Sequence, residues 1–122
     1  MRVHTDHRRK AICDIFGDAT PGDVNVFIAN PDQVTCWHKH ERQTDRFFCL
    51  SGSITFRWWK AGVFHQETLT QGDEKIVTIP PNFWHGYRSG PNGSTVLLYL
   101  DRKYDEMDEM RMTEAESGVP FP

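Results

Sequence analysis

The sequence is short of the features that mark several large protein classes. Cysteine is scarce: Cys13, Cys36 and Cys49 are the only three, with no Cys-x-x-Cys spacing. An odd, scattered set argues against a disulfide framework and fits a reduced, cytoplasmic setting. Charge of one sign is not in excess: 14 Lys and Arg against 17 Asp and Glu give a net −3. That leaves no electrostatic footprint for nucleic acid or an anionic membrane. No apolar run approaches the roughly 20 residues of a membrane span, and the first residues carry no apolar core of a signal peptide. Repeats and low-complexity tracts are absent. The one basic run, Arg8-Arg9-Lys10, lies beside His4, Asp6 and His7 and reads as a solvated arm.

What is present is a series of short apolar runs punctuated by turn residues, the pattern of strands. The expected strands are Val24 to Ala29, Val34 to His40, Arg46 to Leu50, Ile54 to Trp59, Val63 to Leu69, Lys75 to Ile79, Phe83 to Arg88 and Ser94 to Leu100. Ser51-Gly52-Ser53, Lys60-Ala61-Gly62 and Gln71-Gly72-Asp73 read as turns, and Asn92-Gly93 as a hairpin signal. Pro80-Pro81 stops the sixth strand, because proline cannot donate to a ladder. Cys36 and Cys49 fall inside strands as small hydrophobes. A chain of 122 residues suits one domain. Its divisions are an arm or edge strand over 1–20, a barrel over 21–100 and a C-terminal arm over 101–122. From Tyr104 to Thr113 that arm is expected to be a short amphipathic helix or extended. Met107 and Met110 would be spaced for packing, and Glu106, Asp108 and Glu109 would form a solvated face. The fold class is all-β, a barrel or sandwich of tightly connected strands.

The chemistry concentrates in three histidines. His38 and His40 are two residues apart, so a strand presents both, with Cys36, on one face. His85 opens a later strand, with Tyr87 on the same face. Imidazole acts near neutral pH either as a proton carrier or as a metal ligand, and the spacing leaves both open. Phe56 and Trp58 read as core, with at least one of Trp58 and Trp59 facing out, and His65 as an exposed strand residue.

The two histidine blocks resemble the two motifs of the cupin superfamily. His38-x-His40 is followed by four residues, Asp45, six residues and Gly52, with Asp where the family usually has Glu. Pro80-Pro81-Asn82-Phe83-Trp84-His85 is similar to the second motif, with Asn82 at its glycine position; asparagine tolerates positive φ better than most residues. The resemblance implies a single jelly-roll (double-stranded β-helix) barrel. Ile79 to Tyr87, Val96 to Tyr99 with Tyr104-Asp105, and the closing Gly118-Val119-Pro120-Phe121-Pro122 resemble segments of dTDP-4-dehydrorhamnose 3,5-epimerases. His38-Lys39-His40 with Phe48 to Ser53 is similar to the sugar 3,4-ketoisomerases.

Those groups isomerise or epimerise nucleotide-linked 4-keto sugars, mostly without a metal. The reaction removes a proton from carbon next to a ketone and needs a base, a stabilised enolate and a proton donor. The resemblance implies His38 or His40 as the base, Tyr104 as the acid and Glu114 as the group orienting the base. His85, Gln43, Asp45 and Tyr87 would line the substrate pocket. Arg42, Arg46 and Arg88 are candidates to meet a diphosphate, since guanidinium forks match phosphate oxygens. Asp45 stands where the epimerases carry a lysine, and Thr35 where they carry an arginine. A carboxylate repels an enolate unless it is protonated or holds a cation. The alternative is therefore a metal-dependent cupin, a small dioxygenase or metal-assisted isomerase, with His38, His40, Asp45 and His85 around Fe, Mn, Ni or Zn. A third reading is a non-catalytic sugar- or nucleotide-binding module. The superfamily habit of pairing through its sheets implies a homodimer.

Overall fold

The computed structural model describes all residues, 1–122. Nine strands follow in order: β1 (Arg2–Thr5), β2 (Arg9–Cys13), β3 (Asp23–Ala29), β4 (Val34–Lys39), β5 (Asp45–Lys60), β6 (Val63–Thr70), β7 (Val77–Ile79), β8 (Trp84–Leu100) and β9 (Met110–Arg111). A single short helix, α1 (Glu114–Ser117), comes last. No helix is long and apolar enough to cross a membrane.

Two long strands make the barrel. β5 and β8 pair antiparallel from Asp45↔Leu100 to Trp59↔Trp84. Toward one end β3 and β7 flank them, and the β1–β2 hairpin extends the β3 edge. Toward the other end β4 and β6 flank them, and β9 adds to β4. The sheet bends where the register slips, between Cys49 and Ser51 and between Gly52 and Ile54. Gly52 has φ +71° and Gly93 φ +77°, and a Cβ on Gly52 would collide with the Gly93 carbonyl oxygen. Only glycine offers this conformation and close approach without penalty. Paired strands bent this way curl the sheet into the expected jelly roll.

The bend also explains a difference from the sequence pattern. Arg46–Leu50 and Ile54–Trp59 were expected as separate strands, as were Phe83–Arg88 and Ser94–Leu100. Each pair is one strand. Ser51-Gly52-Ser53 and Asn92-Gly93 are bulges within a ladder, and the same residues that open hairpins serve here to bend strands.

Alternation along β5 and β8 sends Phe47, Cys49, Ile54, Phe56, Tyr87 and Val96 inward. Phe47 packs on Phe56 with ring centroids 4.3 Å apart, and Tyr87 stacks on Phe27 at 5.3 Å. Each buried side chain of this size contributes roughly 1.5–3 kcal/mol by leaving water.

The ends of the chain close over this core. Residues 1–20, expected as an arm or edge strand, contain the β1–β2 hairpin, which forms the edge of the sheet beyond β3. After β8 the chain runs extended, makes one 3₁₀ turn at Glu106–Asp108, pairs as β9 and ends in α1. Of the two alternatives for the arm, it is the extended one. Thr113 caps α1 in a reciprocal capping box with Glu116. Trp37 is buried under this arm; its Nε1–H donates to the Val119 carbonyl at 2.9 Å, and its ring meets Phe121 at 5.6 Å. Met107 is 85 % exposed, so the two arm methionines do not form the packing pair their spacing implies.

Candidate functional site

The inner faces enclose one cavity of about 360 Å³, to whose lining the β1–β2 hairpin and the C-terminal arm contribute. That volume is in the range that small ligands occupy. His38, His40, Gln43, Asp45, His85 and Tyr87, all expected at the site, line it, and so does Tyr104.

Turn chemistry sets the histidines. Asn82, at the motif's glycine position, adopts φ +70°, and its N–H donates to the His40 carbonyl at 2.6 Å. This ties the loop before His85 to the end of β4. His40 Nδ1 lies 2.8 Å from the Asp108 carbonyl and His85 Nδ1 lies 3.1 Å from the Phe83 carbonyl. A carbonyl only accepts, so both Nδ1 atoms carry hydrogen and both Nε2 atoms face inward. They meet Asp45 Oδ2 at 3.8 Å from His40 and 3.4 Å from His85. Gln43 Nε2 donates to the other Asp45 oxygen.

With both imidazoles neutral, three electron-pair donors converge on one point, which is unfavourable unless a cation joins them. An imidazolium proton satisfies this, and so does a divalent metal. Burial raises the Asp45 pKa, but His85, the His40 charge and Gln43 outweigh it and hold the carboxyl below its ordinary value. The donor atoms of His40, Asp45 and His85 all lie within 4.8 Å of one another. Two nitrogens and a carboxylate, each imidazole fixed by a carbonyl behind it, suit a first-row divalent ion. His38, the fourth residue of the alternative metal set, is not among the three whose donor atoms come this close.

His38 faces the cavity in a different company. Its Nδ1 is buried with no hydrogen-bond partner, and the nearest carboxylate oxygen is Glu109 Oε1 at 3.9 Å. Burial, with the neighbouring charges of His85, Arg111, Arg9 and His40, holds its pKa well below the usual imidazole value. Glu109 Oε2 accepts the Tyr104 hydroxyl at 2.8 Å, and Arg111 donates to both Glu109 oxygens at 3.2 Å. Burial and this carboxylate push the Tyr104 pKa up to about 12.

Several expectations need correction. Glu109 is a cavity residue. Asp108 is buried and accepts the Glu41 and Arg42 amides at 2.9 and 3.2 Å. Neither belongs to a solvated face; the turn at 106–108 folds them inward. Glu114 does not reach a histidine, and its Oε2 accepts the Phe121 N–H at 2.9 Å. The orienting partner of His40 is the Asp108 carbonyl. Arg46 is exposed on the outer face of β5, Arg88 donates to the Pro122 carbonyl, and Arg42 pairs with Asp105. None of these three arginines lines the cavity. Arg2, Arg8, Arg9 and Arg111 do. Cys36 does not line it either; Thr35 takes its place with His38 and His40, because the β4 register shifts between Thr35 and His38. Burial pushes the Cys36 thiol up to about 12, which leaves it a poor nucleophile.

This architecture is similar to solved structures at low identity. The capsular polysaccharide assembling protein CapF from Staphylococcus aureus has TM-score 0.80 and 19% identity, over 91% of this chain and 31% of that one. A dTDP sugar isomerase from Desulfovibrio desulfuricans G20 has TM-score 0.75 and 20% identity, over 84% and 71%. Oxalate decarboxylase from Bacillus subtilis has TM-score 0.79 and 14% identity, over 98% and 32%. The chain thus spans about a third of CapF and of the decarboxylase. These likenesses establish the cupin fold. No curated protein matches the sequence. Residues 24–115, which run from β3 into α1 and contain His38, His40, Asp45, His85, Tyr104 and Glu109, match the model of the FdtA family (WxcM-like, C-terminal), and the chain belongs to that family.

Proposed function

We propose that this protein isomerises or epimerises a nucleotide-linked 4-keto sugar by removing a proton from the carbon beside the ketone. The reading rests on one arrangement: a half-buried His38 whose Nδ1 is buried and unpartnered, in the same cavity as a tyrosine held by Glu109. His38 accepts the carbon proton. Tyr104 keeps its proton at neutral pH and is the donor to the enediol. The family match and the fold shared with a dTDP sugar isomerase support the reading.

A second reading has its own observation, the convergence of His40, His85 and Asp45. These three would hold a divalent ion, and such an ion supplies Lewis-acid polarisation of a ketone oxygen when bound. The chain's own contribution there is to orient both imidazoles through backbone carbonyls and to brace Asp45 through Gln43.

The outward face of the sheet at the end formed by β1, β2, β3, β8 and β5 supports pairing with a second copy. Val3, Ile12, Val26, Leu97 and Phe48 lie in register across β1, β2, β3, β8 and β5. A mass measurement in solution reads this directly.

To test the function, the full chain is incubated in D₂O with a thymidine-diphosphate 4-keto-6-deoxysugar and followed by proton NMR. The expected result is loss of the signal of the proton beside the ketone, with a new isomer. Binding with no exchange would leave a non-catalytic sugar-binding module.

A further inference from the structure

Four arginines line the cavity, and three are neutralised within the chain. Arg2 pairs with Asp23 at 3.3 Å, Arg8 with Asp6 at 2.8 Å and Arg111 with Glu109 at 3.2 Å. Arg9 makes no ion pair. Its Nε is buried without a hydrogen-bond partner. Its guanidinium lies 5.2 Å from the ring centroid of Phe27, a core residue on the inner face of β3, so the side chain is directed inward. The nearby carboxylates are committed: Asp6 to Arg8, Glu109 to Arg111 and Tyr104, and Asp45 to the histidines and Gln43. A second donor in the same cavity, the Tyr87 hydroxyl, is also buried without a partner.

A partly buried guanidinium whose Nε has no acceptor is left with unused donors, which an anion entering the cavity can satisfy. We propose that Arg9 is the anion-recognition residue of this cavity and receives a phosphate or diphosphate group of the ligand. A guanidinium fork suits phosphate oxygens bidentately, and the unpartnered Tyr87 hydroxyl is a further donor lining the same cavity. This moves recognition of the charged end of the substrate from Arg42, Arg46 and Arg88 to the N-terminal hairpin, and it rests on the nucleotide-sugar reading above. The β1–β2 hairpin then has a function besides covering the barrel: it carries the residue that selects phosphorylated ligands.

The test is calorimetric titration of the full chain with thymidine diphosphate, inorganic pyrophosphate and thymidine. EDTA is included so that metal coordination at the His40 cluster is not what is read. Wild type is expected to bind the two anions, and thymidine at least tenfold more weakly. Arg9→Gln is expected to weaken both anions by about tenfold or more, the worth of a charged hydrogen bond. Arg9→Lys keeps the stem and the charge, guards against loss of fold, and is expected to bind at an intermediate level. Arg46→Gln, on the outer face, leaves binding unchanged. Equal anion binding by wild type, Arg9→Gln and Arg9→Lys overturns the proposal, as does wild type that takes thymidine as well as its diphosphate. Solvent exchange into the keto sugar separates this from the functional reading. Arg9-dependent anion binding with no exchange retires the isomerase and keeps the anion site. Exchange with unchanged KM in Arg9→Gln retires the anion site and keeps the isomerase.

Discussion

His40 and Asp108 are joined by a hydrogen bond of 2.8 Å in which the imidazole Nδ1–H donates to the backbone carbonyl. The arm that follows the barrel therefore decides which His40 nitrogen faces the cavity. The same aspartate anchors that arm, since its carboxylate accepts the amides of Glu41 and Arg42.

Loss of the Asp108 carboxylate leaves two partly buried amides without their acceptor. Asp108→Ala is expected to destabilise the fold by about 1–3 kcal/mol. Burial raises the Asp108 pKa, but the two amides, Arg42 and His40 outweigh it, and the net shift is downward. A depressed carboxylate contributes stability that is complete above its unfolded value of about 3.9 and is lost as pH falls toward the folded value. Melting temperature followed from pH 7 to pH 3 checks this. The variant's curve should fall less steeply below about pH 4 than that of wild type; parallel curves would remove Asp108 from the account.

Metal content distinguishes the residues of the histidine cluster. A divalent ion held by His40, Asp45 and His85 raises the melting temperature of wild type in proportion to its binding. His38→Ala should keep both the metal and the shift, while His40→Ala and His85→Ala should lose both. Elemental analysis of untagged protein, reconstituted with Fe(II), Mn(II), Ni(II) or Zn(II), reads the content. Loss in His38→Ala equal to that in His85→Ala would return His38 to the ligand set.

The parts of the site legible in the sequence are those whose spacing carries geometry. His38, His40, Asp45 and His85 follow a motif, and Asn82 takes the positive φ that its glycine-like position requires. The residues that were not legible depend on chain reversals and bulges. Glu109 sits in an acidic run that looks solvated until a 3₁₀ turn folds it onto the cavity. Arg9 belongs to a basic run that looks like an arm until β1 and β2 pair. Thr35 displaces Cys36 because a register shift breaks the two-residue period before His38. The eight expected strands were nearly right in position, yet two pairs were single strands, because bulge glycines carry the same composition as turn glycines.

The bend at Gly52 gives a paired test of that last point. Gly52→Ala meets both a left-handed φ of +71° and the Gly93 carbonyl. Gly62→Ala meets only the φ of +76°, with open space around the new methyl. Gly62→Ala is expected to lose about 1 kcal/mol, and Gly52→Ala about 2–4 kcal/mol, the added part coming from steric overlap. Urea melts of the two variants check the difference, and equal losses would mean that the strands part freely at the bulge.

The division of labour between His38 and Tyr104 has an isotopic signature. If His38 removes the carbon proton, His38→Asn should abolish deuterium entry into recovered substrate as well as product formation. Tyr104→Phe removes the donor and leaves the base, so exchange into recovered substrate should persist while product falls by about 10²–10⁴-fold, the usual worth of a positioned acid. Because the Tyr104 pKa is pushed up to about 12, the tyrosine keeps its proton across the neutral and mildly alkaline range. It should impose no alkaline limb on turnover below about pH 10, the ordinary tyrosine value. Glu109→Gln removes the carboxylate that holds the hydroxyl. It should bring that ionisation down, visible as phenolate absorbance at lower pH than in wild type. Tyr104→Phe that stops exchange as completely as His38→Asn would reverse the assignment and make the tyrosine part of the proton-removing step.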